Sequence, residues 1–256
     1  MRHMTPSSLY LLTGASRGMG LAMARQLLQS GHTLITLSRQ PSAELAQAAA
    51  AAGATLDQWT QDLADAAQAA ARLRQWLEAV PAGRFANATL INNAGVIPPI
   101  APLSASDPAA LAQALRVGLE APLLLTGAFL GATSDWQVPR KVLNISSGLG
   151  RRAMASQAAY CAAKAGMDHF TRCVALDEAA RPHGARVCSL APGVIDTDMQ
   201  SQLRGADPAR FPDAHNFAAL KDEGRLTSPE DAARRVLAWL DRKDFGEQPV
   251  ADVREA

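Results

Sequence analysis

The 256-residue chain carries 25 Lys and Arg against 24 Asp and Glu, a formal net charge of +1, and 48% of its residues are hydrophobic. A nearly neutral chain without a basic run does not favour binding to nucleic acid or to an anionic membrane. The apolar stretch near the N-terminus, 9–12, is too short for a signal peptide or a spanning helix.

Three cysteines are present: Cys161, Cys173 and Cys188. They show neither metal-ligand spacing nor the even number that a disulfide framework needs, so we expect a protein of the reducing cytoplasm. We therefore expect no metal site, and three buried thiols that act as small hydrophobic side chains.

Short apolar runs typical of strands alternate with longer helical patterns. Predicted strands cover 9–13, 33–38, 55–60, 89–92, 138–146, 186–190 and 250–253. Predicted helices cover 19–30, 43–52, 64–80, 108–132, 157–181 and 229–241. This alternation predicts an α/β fold, a doubly wound Rossmann-type parallel sheet of about seven strands with helices on both faces. No stretch resembles a linker, so we expect 1–256 to form a single domain that binds ligands at the carboxyl ends of its strands.

A glycine-rich loop, TGASRGMG at 13–20, joins the first predicted strand to the first predicted helix. Gly14, Gly18 and Gly20 allow a tight turn and a close approach to a pyrophosphate, which the N-terminus of the helix also attracts. We predict a dinucleotide cradle, and the other candidate contacts in this loop are Ser16, Arg17 and Met19. The alternative is a tight turn without a ligand.

The end of the second predicted strand, HTLITLSRQ, indicates which dinucleotide is bound. An NAD site usually has an acid here for the adenosine ribose, but this chain has Ser38 followed by Arg39. A guanidinium binds a 2′-phosphate bidentately, and Arg17 is placed to approach the same phosphate from the glycine loop. We predict NADP(H) in preference to NAD(H). The alternative is that both arginines are solvated surface residues.

One of only two tyrosines, Tyr160, precedes Lys164 by one helical turn in the segment YCAAK, so both side chains share a face. The ordinary pKa of a phenol, about 10, is too high for efficient acid–base work near neutral pH. Because an adjacent ammonium stabilises phenolate, we expect Lys164 to lower the pKa of Tyr160. The alternative is an amphipathic tyrosine at the surface of a helix.

The chain resembles the short-chain dehydrogenase/reductase family from Ser8 to about Leu240. Six motifs occur in the family's order and spacing: TGASRGMG, DL at 62–63, NNAG at 92–95, ISS at 145–147, YCAAK at 160–164 and PGVIDT at 192–197. The resemblance implies that Tyr160 exchanges the substrate proton and that Lys164 also reaches the ribose hydroxyls beside the nicotinamide. It implies that Ser147 hydrogen-bonds the substrate carbonyl, a bond that strengthens as negative charge develops on the oxygen.

The same resemblance implies the remaining cofactor contacts. Asp62 and Leu63 match the pair that contacts adenine, and the PGVIDT loop matches the segment that holds the carboxamide side of nicotinamide. The implied residues of the two later loops are Asn93, Ala94, Gly95, Pro192, Gly193, Ile195 and Thr197.

The chain departs from the family in the helix after the fourth predicted strand. There Gly118 occupies the position of an asparagine that feeds a proton relay to the lysine. Pro122, four residues later, cannot donate the helical N–H bond to the carbonyl of Gly118. We expect that carbonyl to hold the relay water by itself.

Three loops at one edge of the sheet are expected to select the substrate: 96–108, 148–157 and a lid-like segment at 198–226. An apolar wall predicts a hydrophobic or aromatic carbonyl compound, and its members are Met154, Leu203, Phe211, Phe217 and Leu220. Arg151 and Arg152 could attract a carboxylate, but a solvated surface pair is the preferred interpretation.

The C-terminal segment, DRKDFGEQPVADVREA, lacks the glycine-rich closing strand that many tetramers of the family bury at an interface. In this it resembles sepiapterin and benzil reductases, a subgroup that reduces pterins or aromatic diketones as dimers. We expect a homodimer or a homotetramer. His169 and Cys173, on the helix after Lys164, are expected to pack internally or at a subunit interface.

Together these features predict an NADPH-dependent reductase that transfers hydride to a small, largely apolar or aromatic ketone or aldehyde. Two alternatives stay open. One is an NADP-binding sensor that kept the fold and lost the chemistry, which Gly118 favours. The other is an alcohol dehydrogenase that works in the oxidative direction, which Arg39 disfavours.

Overall fold

A computed structural model describes residues 7–255; residues 1–6 and 256, the two ends of the predicted domain, lie outside the described residues. The strands are β1 (Ser8–Thr13), β2 (Thr33–Ser38), β3 (Thr55–Thr60), β4 (Asn87–Asn92), β5 (Arg140–Ile145), β6 (Arg186–Ala191) and β7 (Val250–Asp252). The helices are α1 (Gly18–Leu27), α2 (Ala43–Ala52), α3 (Ala66–Glu78), α4 (Pro108–Leu115), α5 (Ala121–Ala132), α6 (Ala158–Ala179), α7 (Asp198–Arg204), α8 (Ala214–Asp222) and α9 (Pro229–Leu240).

The seven strands form one sheet in the order β3-β2-β1-β4-β5-β6-β7. Every neighbouring pair is parallel, from Leu34 beside Leu56 at one edge to Leu190 beside Ala251 at the other. The strand order reverses at β1, which lies between β2 and β4. The predicted doubly wound fold is confirmed, and its ligand site is expected beyond the carboxyl ends of β1 and β4.

Helices cover both faces of the sheet because successive strand residues point to opposite sides. Leu11 belongs to the core layer that contains Leu73 of α3 and Phe129 of α5. Its neighbour Leu12 belongs to the opposite layer, with Met23 of α1. The strands that carry the site are thus held from both sides.

The predicted helix 108–132 is interrupted at the point where Pro122 removes a donor. A π-helical turn, Arg116–Glu120, separates α4 from α5, and the N–H of Ala121 donates to the carbonyl of Arg116, five residues back. Pro122 lies in the first turn of α5, where its missing N–H is tolerated. By length and composition 108–132 could cross a membrane, but 56% of its 18-residue apolar window, whose mean hydropathy is 1.3, is buried inside the fold, as in a core helix.

The predicted lid, 198–226, contains α7 and α8, which were not predicted as helices. Leu203, Phe211 and Ala214 form a small core of their own, and the rings of Phe211 and Phe217 stack with centroids 5.7 Å apart. Residues of the other two predicted substrate loops pack against this core: Ile97, Ile100 and Met154. The three loops therefore meet at one edge of the sheet, as expected.

The cysteines depart in part from the prediction. Cys188 is buried and Cys161 is half-buried, but Cys173 is exposed on α6. The expectation of three buried thiols is wrong for Cys173, because its side of α6 faces away from the sheet.

Candidate active site

A cleft of about 880 Å³ opens beyond the carboxyl ends of the strands. Its volume lies within the range of small-molecule and cofactor sites. All the residues predicted to bind cofactor or to carry out chemistry line it: Gly14, Ser16, Arg17, Gly18, Met19, Gly20, Arg39, Asp62, Leu63, Asn93, Ala94, Gly95, Ser147, Tyr160, Lys164, Pro192, Gly193, Ile195 and Thr197. The fold thus collects six separate sequence motifs into one site.

The glycine loop after β1 has the shape of a phosphate cradle. Gly14 has φ of 71°, and a Cβ there would lie 2.9 Å from the Cα of Ala94. A Cβ on Gly20 would lie 2.1 Å from the carbonyl oxygen of Gly14. Side chains are excluded at both positions, so the backbone can approach a dinucleotide closely.

Two side chains fix the loop in this shape. The hydroxyl of Ser38, at the position where an NAD site has an acid, accepts a hydrogen bond from the N–H of Ala15 at 3.0 Å. The amide of Asn93 donates to the carbonyl oxygens of Thr13 and Gly14 at 3.0 and 3.1 Å. Within residues 7–255 no side chain caps the N-terminus of α1, so its N–H groups fit a pyrophosphate.

Two arginines lie at the end of the cleft beside this loop. Arg39 is exposed. The Nη1 atom of Arg17 lies 3.0 Å from Oδ2 of Asp198, at the start of the lid, and both side chains are more than 70% exposed. An exposed ion pair contributes at most about 1 kcal/mol, so Arg17 can leave Asp198 for a phosphate at little cost. The donor set fits a phosphorylated dinucleotide.

The remaining predicted cofactor residues frame the cleft from two further loops. Asp62 accepts a hydrogen bond from the N–H of Ala64 at 2.9 Å, which orders the turn after β3. Thr197 is the residue before α7, and its hydroxyl donates to the carbonyl of Ile195 at 3.5 Å. The loop between β6 and α7 also packs against the glycine loop. A methyl group of Thr197 lies 3.5 Å from where a Cβ of Gly18 would be.

Ser147, Tyr160 and Lys164 meet deeper in the cleft. Ser147 follows β5, while Tyr160 and Lys164 lie one turn apart on α6 and are only 8% and 4% exposed. The ammonium of Lys164 donates to the carbonyl of Ile145 at 2.6 Å and lies 5.8 Å from the centre of the Tyr160 ring. Since an ammonium has three N–H donors, two are left to face the cleft.

The electrostatics of this trio correct one expectation. Burial raises the pKa of Tyr160, and the Ser147 side chain opposes this only in part. Burial also lowers the pKa of Lys164 to about 8, although the carboxylate of Asp168 opposes that shift. The predicted lowering of the Tyr160 pKa by Lys164 is therefore wrong, because the loss of hydration on burial is the largest influence on this hydroxyl.

Asp168 is a buried group that the sequence analysis missed. It lies one turn after Lys164, is 2% exposed, and accepts hydrogen bonds from the hydroxyls of Ser146 at 2.5 Å and Ser189 at 2.7 Å. The Nε of Arg151 lies 3.2 Å from its second oxygen, and the same guanidinium donates to the carbonyl of Ala251 in β7. Asp168 thus joins α6 to the loop after β5 and to β6, and through Arg151 to β7.

This network also corrects the interpretation of Arg151. The sequence analysis favoured a solvated pair with Arg152, yet Arg151 is bound to Asp168, while Arg152 is exposed at the cleft. The role of Asp168 could have been suspected from its spacing alone. Four residues after Lys164, its carboxylate lies on the face of α6 that carries Tyr160.

Gly118 lies in the π-helical turn, where α4 and α5 approach α6. A Cβ at this position would lie 3.1 Å from the Cβ of Ala163, closer than ordinary packing allows. The glycine therefore permits close contact with the helix that bears the trio. The side chain of an asparagine at this position would collide with α6.

We expect Gly118→Asn to lower the free energy of unfolding by about 1–3 kcal/mol through overpacking, and to change turnover by less than about tenfold. Combining it with Ala163→Gly should give a protein more stable than the sum of the two single effects predicts. Denaturant unfolding measures the stability of the single and double variants, and NADPH consumption measures their turnover. A rise in turnover of several orders of magnitude would show instead that the native relay is broken.

The apolar wall is confirmed in part. Met154, Leu203 and Phe217 line the cleft. Phe211 is fully buried in the lid's own core, and Leu220 is half-buried outside the lining residues, so both predictions are wrong for the wall. Two glutamines that the sequence analysis missed, Gln157 and Gln200, are buried at the cleft.

Comparison with known proteins agrees with this geometry. The model of the short chain dehydrogenase family matches residues 9–208. Benzil reductase ((S)-benzoin forming) from Bacillus cereus is 34% identical over 245 residues, covering 96% of this chain and 98% of the relative. Sepiapterin reductase from Meriones unguiculatus is 34% identical over 251 residues, covering 92% of each chain. A crystal structure of a short-chain dehydrogenase/reductase from Burkholderia vietnamiensis is 35% identical, with a TM-score of 0.65, covering 97% of this chain and 98% of that one.

Proposed function

Because the chain belongs to the short chain dehydrogenase family, and so is an oxidoreductase acting on CH–OH or C=O groups, we propose that it is an NADPH-dependent ketone reductase. The substrate is a small, largely apolar or aromatic ketone or aldehyde. The observation that carries this proposal is the meeting of Ser147, Tyr160 and Lys164 in the cleft that also contains the glycine cradle.

Tyr160 is the proposed proton donor. Burial raises its pKa, so the hydroxyl is protonated at neutral pH and is in the form that a reduction needs. Ser147 donates a hydrogen bond to the substrate carbonyl, and this bond strengthens as negative charge develops on the oxygen. A bound nicotinamide supplies the hydride.

Lys164 has a proposed positioning and electrostatic role. One N–H is held by the carbonyl of Ile145, which fixes the ammonium beside Tyr160, and its other donors are available to ribose hydroxyls. With a pKa of about 8, Lys164 is cationic at neutral pH and stabilises negative charge on the phenol oxygen when the proton leaves.

The direct test is NADPH consumption with purified protein and a panel of ketones, aldehydes and quinones. Benzil is the first probe, since the Bacillus cereus relative is a benzil reductase. The cleft wall of Met154, Leu203 and Phe217 favours such an aromatic compound. Absence of turnover with every carbonyl compound, in protein that binds NADPH, would favour the sensor alternative.

Arg39 carries the proposed preference for NADPH. We expect Arg39→Ala to raise the Michaelis constant for NADPH by about 10- to 100-fold, since charge-assisted hydrogen bonds contribute about 1.5–3 kcal/mol, and to leave that for NADH nearly unchanged. Arg235→Ala, an exposed arginine on α9 outside the cleft, is the matched control. Equal Michaelis constants for the two cofactors in the wild-type protein would contradict the assignment.

A homo-oligomer is proposed through α5 and α6. An apolar groove between these helices is lined by Leu119, Leu123, Thr126, Gly127, Leu130, Gly166, His169, Phe170, Cys173 and Val174. Leu123 is 45% exposed there, and a second copy of this face would bury it. We expect light scattering to give the mass of a dimer or tetramer. Leu123→Asp should reduce that mass, whereas Leu103→Asp, outside the groove, should not.

Three further features stay predictions within this proposal. They are the cytoplasmic location, the single domain, and the closing of the 198–226 segment over substrate.

A further inference from the structure

The chain just before Ser147 is bound to α6 by two successive contacts. Ile145 and Ser146 are the two residues that precede it, where β5 ends. The carbonyl of Ile145 accepts a hydrogen bond from the ammonium of Lys164 at 2.6 Å, and the hydroxyl of Ser146 donates to Oδ1 of Asp168 at 2.5 Å. Lys164 and Asp168 lie one helical turn apart, so a single face of α6 holds this segment.

The chain just after Ser147 is held by the other oxygen of the same carboxylate. Residues Gly148–Gly150 form a 3₁₀ turn, in which the N–H of Gly150 donates to the carbonyl of Ser147 at 2.9 Å. A Cβ on Gly150 would lie 2.9 Å from Oδ2 of Asp168, so the carboxylate packs closely against this turn. The Nε of Arg151, the next residue, lies 3.2 Å from the same oxygen. Asp168 therefore contacts the chain on both sides of Ser147.

A carboxylate suits this position because all the side chains that bind it are donors. The hydroxyls of Ser146 and Ser189 donate to Oδ1, and the guanidinium of Arg151 donates to Oδ2. A carboxylate only accepts hydrogen bonds, and bonds to an ionised acceptor are short and strong. Burial of such a charge is tolerated only when its oxygens are paired in this way.

Asp168 acts through its neighbours, because it lies outside the residues that line the cleft, whereas Ser146 and Ser147 line it. A reacting group has to be held close to its productive position, since a displacement of about 1 Å can lower a rate about 100-fold. Resting on the proposed function, we propose that Asp168 is a positioning residue that keeps the Ser147 hydroxyl in place for the substrate carbonyl by binding the chain on either side of it.

Asp168→Asn is the first variant. It keeps the size of the side chain, but an amide has one acceptor oxygen and turns an N–H donor toward the remaining donors. We expect kcat/KM for the ketone that the wild type reduces fastest to fall about 10- to 100-fold, mainly through kcat, because the Ser147 bond strengthens in the transition state. The affinity for NADPH, measured by fluorescence titration, should stay within about threefold, since no contact with the glycine cradle is removed.

A double-mutant cycle with Ser147→Ala tests whether the effect passes through Ser147. In that background Asp168→Asn should lower kcat/KM by less than about threefold, because the group that Asp168 positions is already gone. The carboxylate also raises the pKa of Lys164, and an effect through that ammonium would persist without the Ser147 hydroxyl. A fall of the full size in the Ser147→Ala background overturns the inference, as does wild-type activity in Asp168→Asn.

Glu178→Gln is the matched control for the loss of a buried carboxylate from α6. Glu178 is buried, lies outside the residues that line the cleft, and accepts the N–H of Ala185 at 2.7 Å. We expect this variant to be less stable in denaturant and to keep kcat/KM within about threefold of the wild type. An equal fall in activity for Glu178→Gln and Asp168→Asn would show a general loss of structure in place of positioning.

Two milder variants keep the inference testable if Asp168→Asn does not fold. Ser146→Ala and Ser189→Ala each remove one hydroxyl that donates to the same Oδ1. Only Ser146 adjoins Ser147, so we expect Ser146→Ala to lower kcat/KM about tenfold and Ser189→Ala to change it by less than about threefold. Equal effects of the two substitutions, or no effect of either, would overturn the inference.

Amide hydrogen exchange separates this inference from the proposed function, because it requires no ketone. The N–H groups of Gly150 and Arg151 donate to the carbonyls of Ser147 and Gly148 at 2.9 and 3.2 Å. Asp168→Asn should speed their exchange by about tenfold or more, and Glu178→Gln should leave it unchanged. Unchanged exchange in Asp168→Asn overturns the positioning role. Failure of the wild type to reduce any carbonyl compound would refute the reductase proposal, and the exchange rates would still decide whether Asp168 orders this segment.

Discussion

Tyr160→Phe is expected to lower kcat/KM for ketone reduction by about 10²- to 10⁴-fold, the usual contribution of a positioned proton donor. The substitution removes one oxygen from a side chain that is 8% exposed and leaves the ring to fill its place on α6. We therefore expect NADPH binding and the unfolding midpoint to change little. Fluorescence titration with NADPH and denaturant unfolding should show that only the chemical step is lost.

The chain supplies its own control, because its second tyrosine lies elsewhere. Tyr10 is in β1, half-buried, and outside the residues that line the cleft. Tyr10→Phe should keep the activity of the wild type. Activity that survives in Tyr160→Phe would refute the proposed acid, and a wild type that binds NADPH but reduces nothing would leave the sensor alternative.

The pH dependence of the two directions follows from the raised pKa of Tyr160. Because burial favours the neutral phenol, the acid form needed for reduction persists through neutral pH. Alcohol oxidation requires the phenolate and is expected to become efficient only at alkaline pH. Rates in both directions across pH 6–10 measure this, and oxidation that is fastest at neutral pH would contradict it.

The sequence predicted those parts of the site whose chemistry is local. The glycines of 13–20 are required by contacts within one loop, as the 2.1 Å distance from a Cβ on Gly20 to the carbonyl oxygen of Gly14 illustrates. Tyr160 and Lys164 share a helical turn, so their common face follows from spacing alone. The strand–helix alternation similarly predicted the sheet, since it depends on a pattern along the chain.

The features that escaped prediction depend on contacts between distant segments. Asp168 is bound by Ser146, Ser189 and Arg151, which come from the loop after β5, from β6 and from the loop before α6, and no local motif indicates that these residues meet. The direction of the Tyr160 pKa was mistaken for the same reason. Spacing identified the nearby ammonium, but the depth of burial, which has the largest influence on the Tyr160 pKa, is a property of the packed fold.

Lys164→Met is expected to abolish measurable reduction and, below pH 8, to stabilise the protein. Burial lowers the pKa of Lys164 from 10.5 to about 8, so the folded state resists carrying this charge. A shift of this size corresponds to about 3 kcal/mol. The carbonyl of Ile145 loses its hydrogen-bond partner in the variant, which lowers the free energy of unfolding by about 1 kcal/mol. We expect a net gain of about 2 kcal/mol in the free energy of unfolding at pH 6.5.

The sign of the pH dependence distinguishes this from a simple gain in packing. Between pH 8 and 10.5 folded Lys164 has released its proton while the unfolded chain still binds it, so the wild type gains stability as the pH rises. The advantage of Lys164→Met should therefore shrink by about 2 kcal/mol between pH 6.5 and 9.5. Lys243→Met, at an exposed site, should show no such trend. A Lys164→Met protein that is less stable than the wild type at both pH values would mean that the ammonium is well solvated or paired in the cleft, and its assigned electrostatics would have to be abandoned.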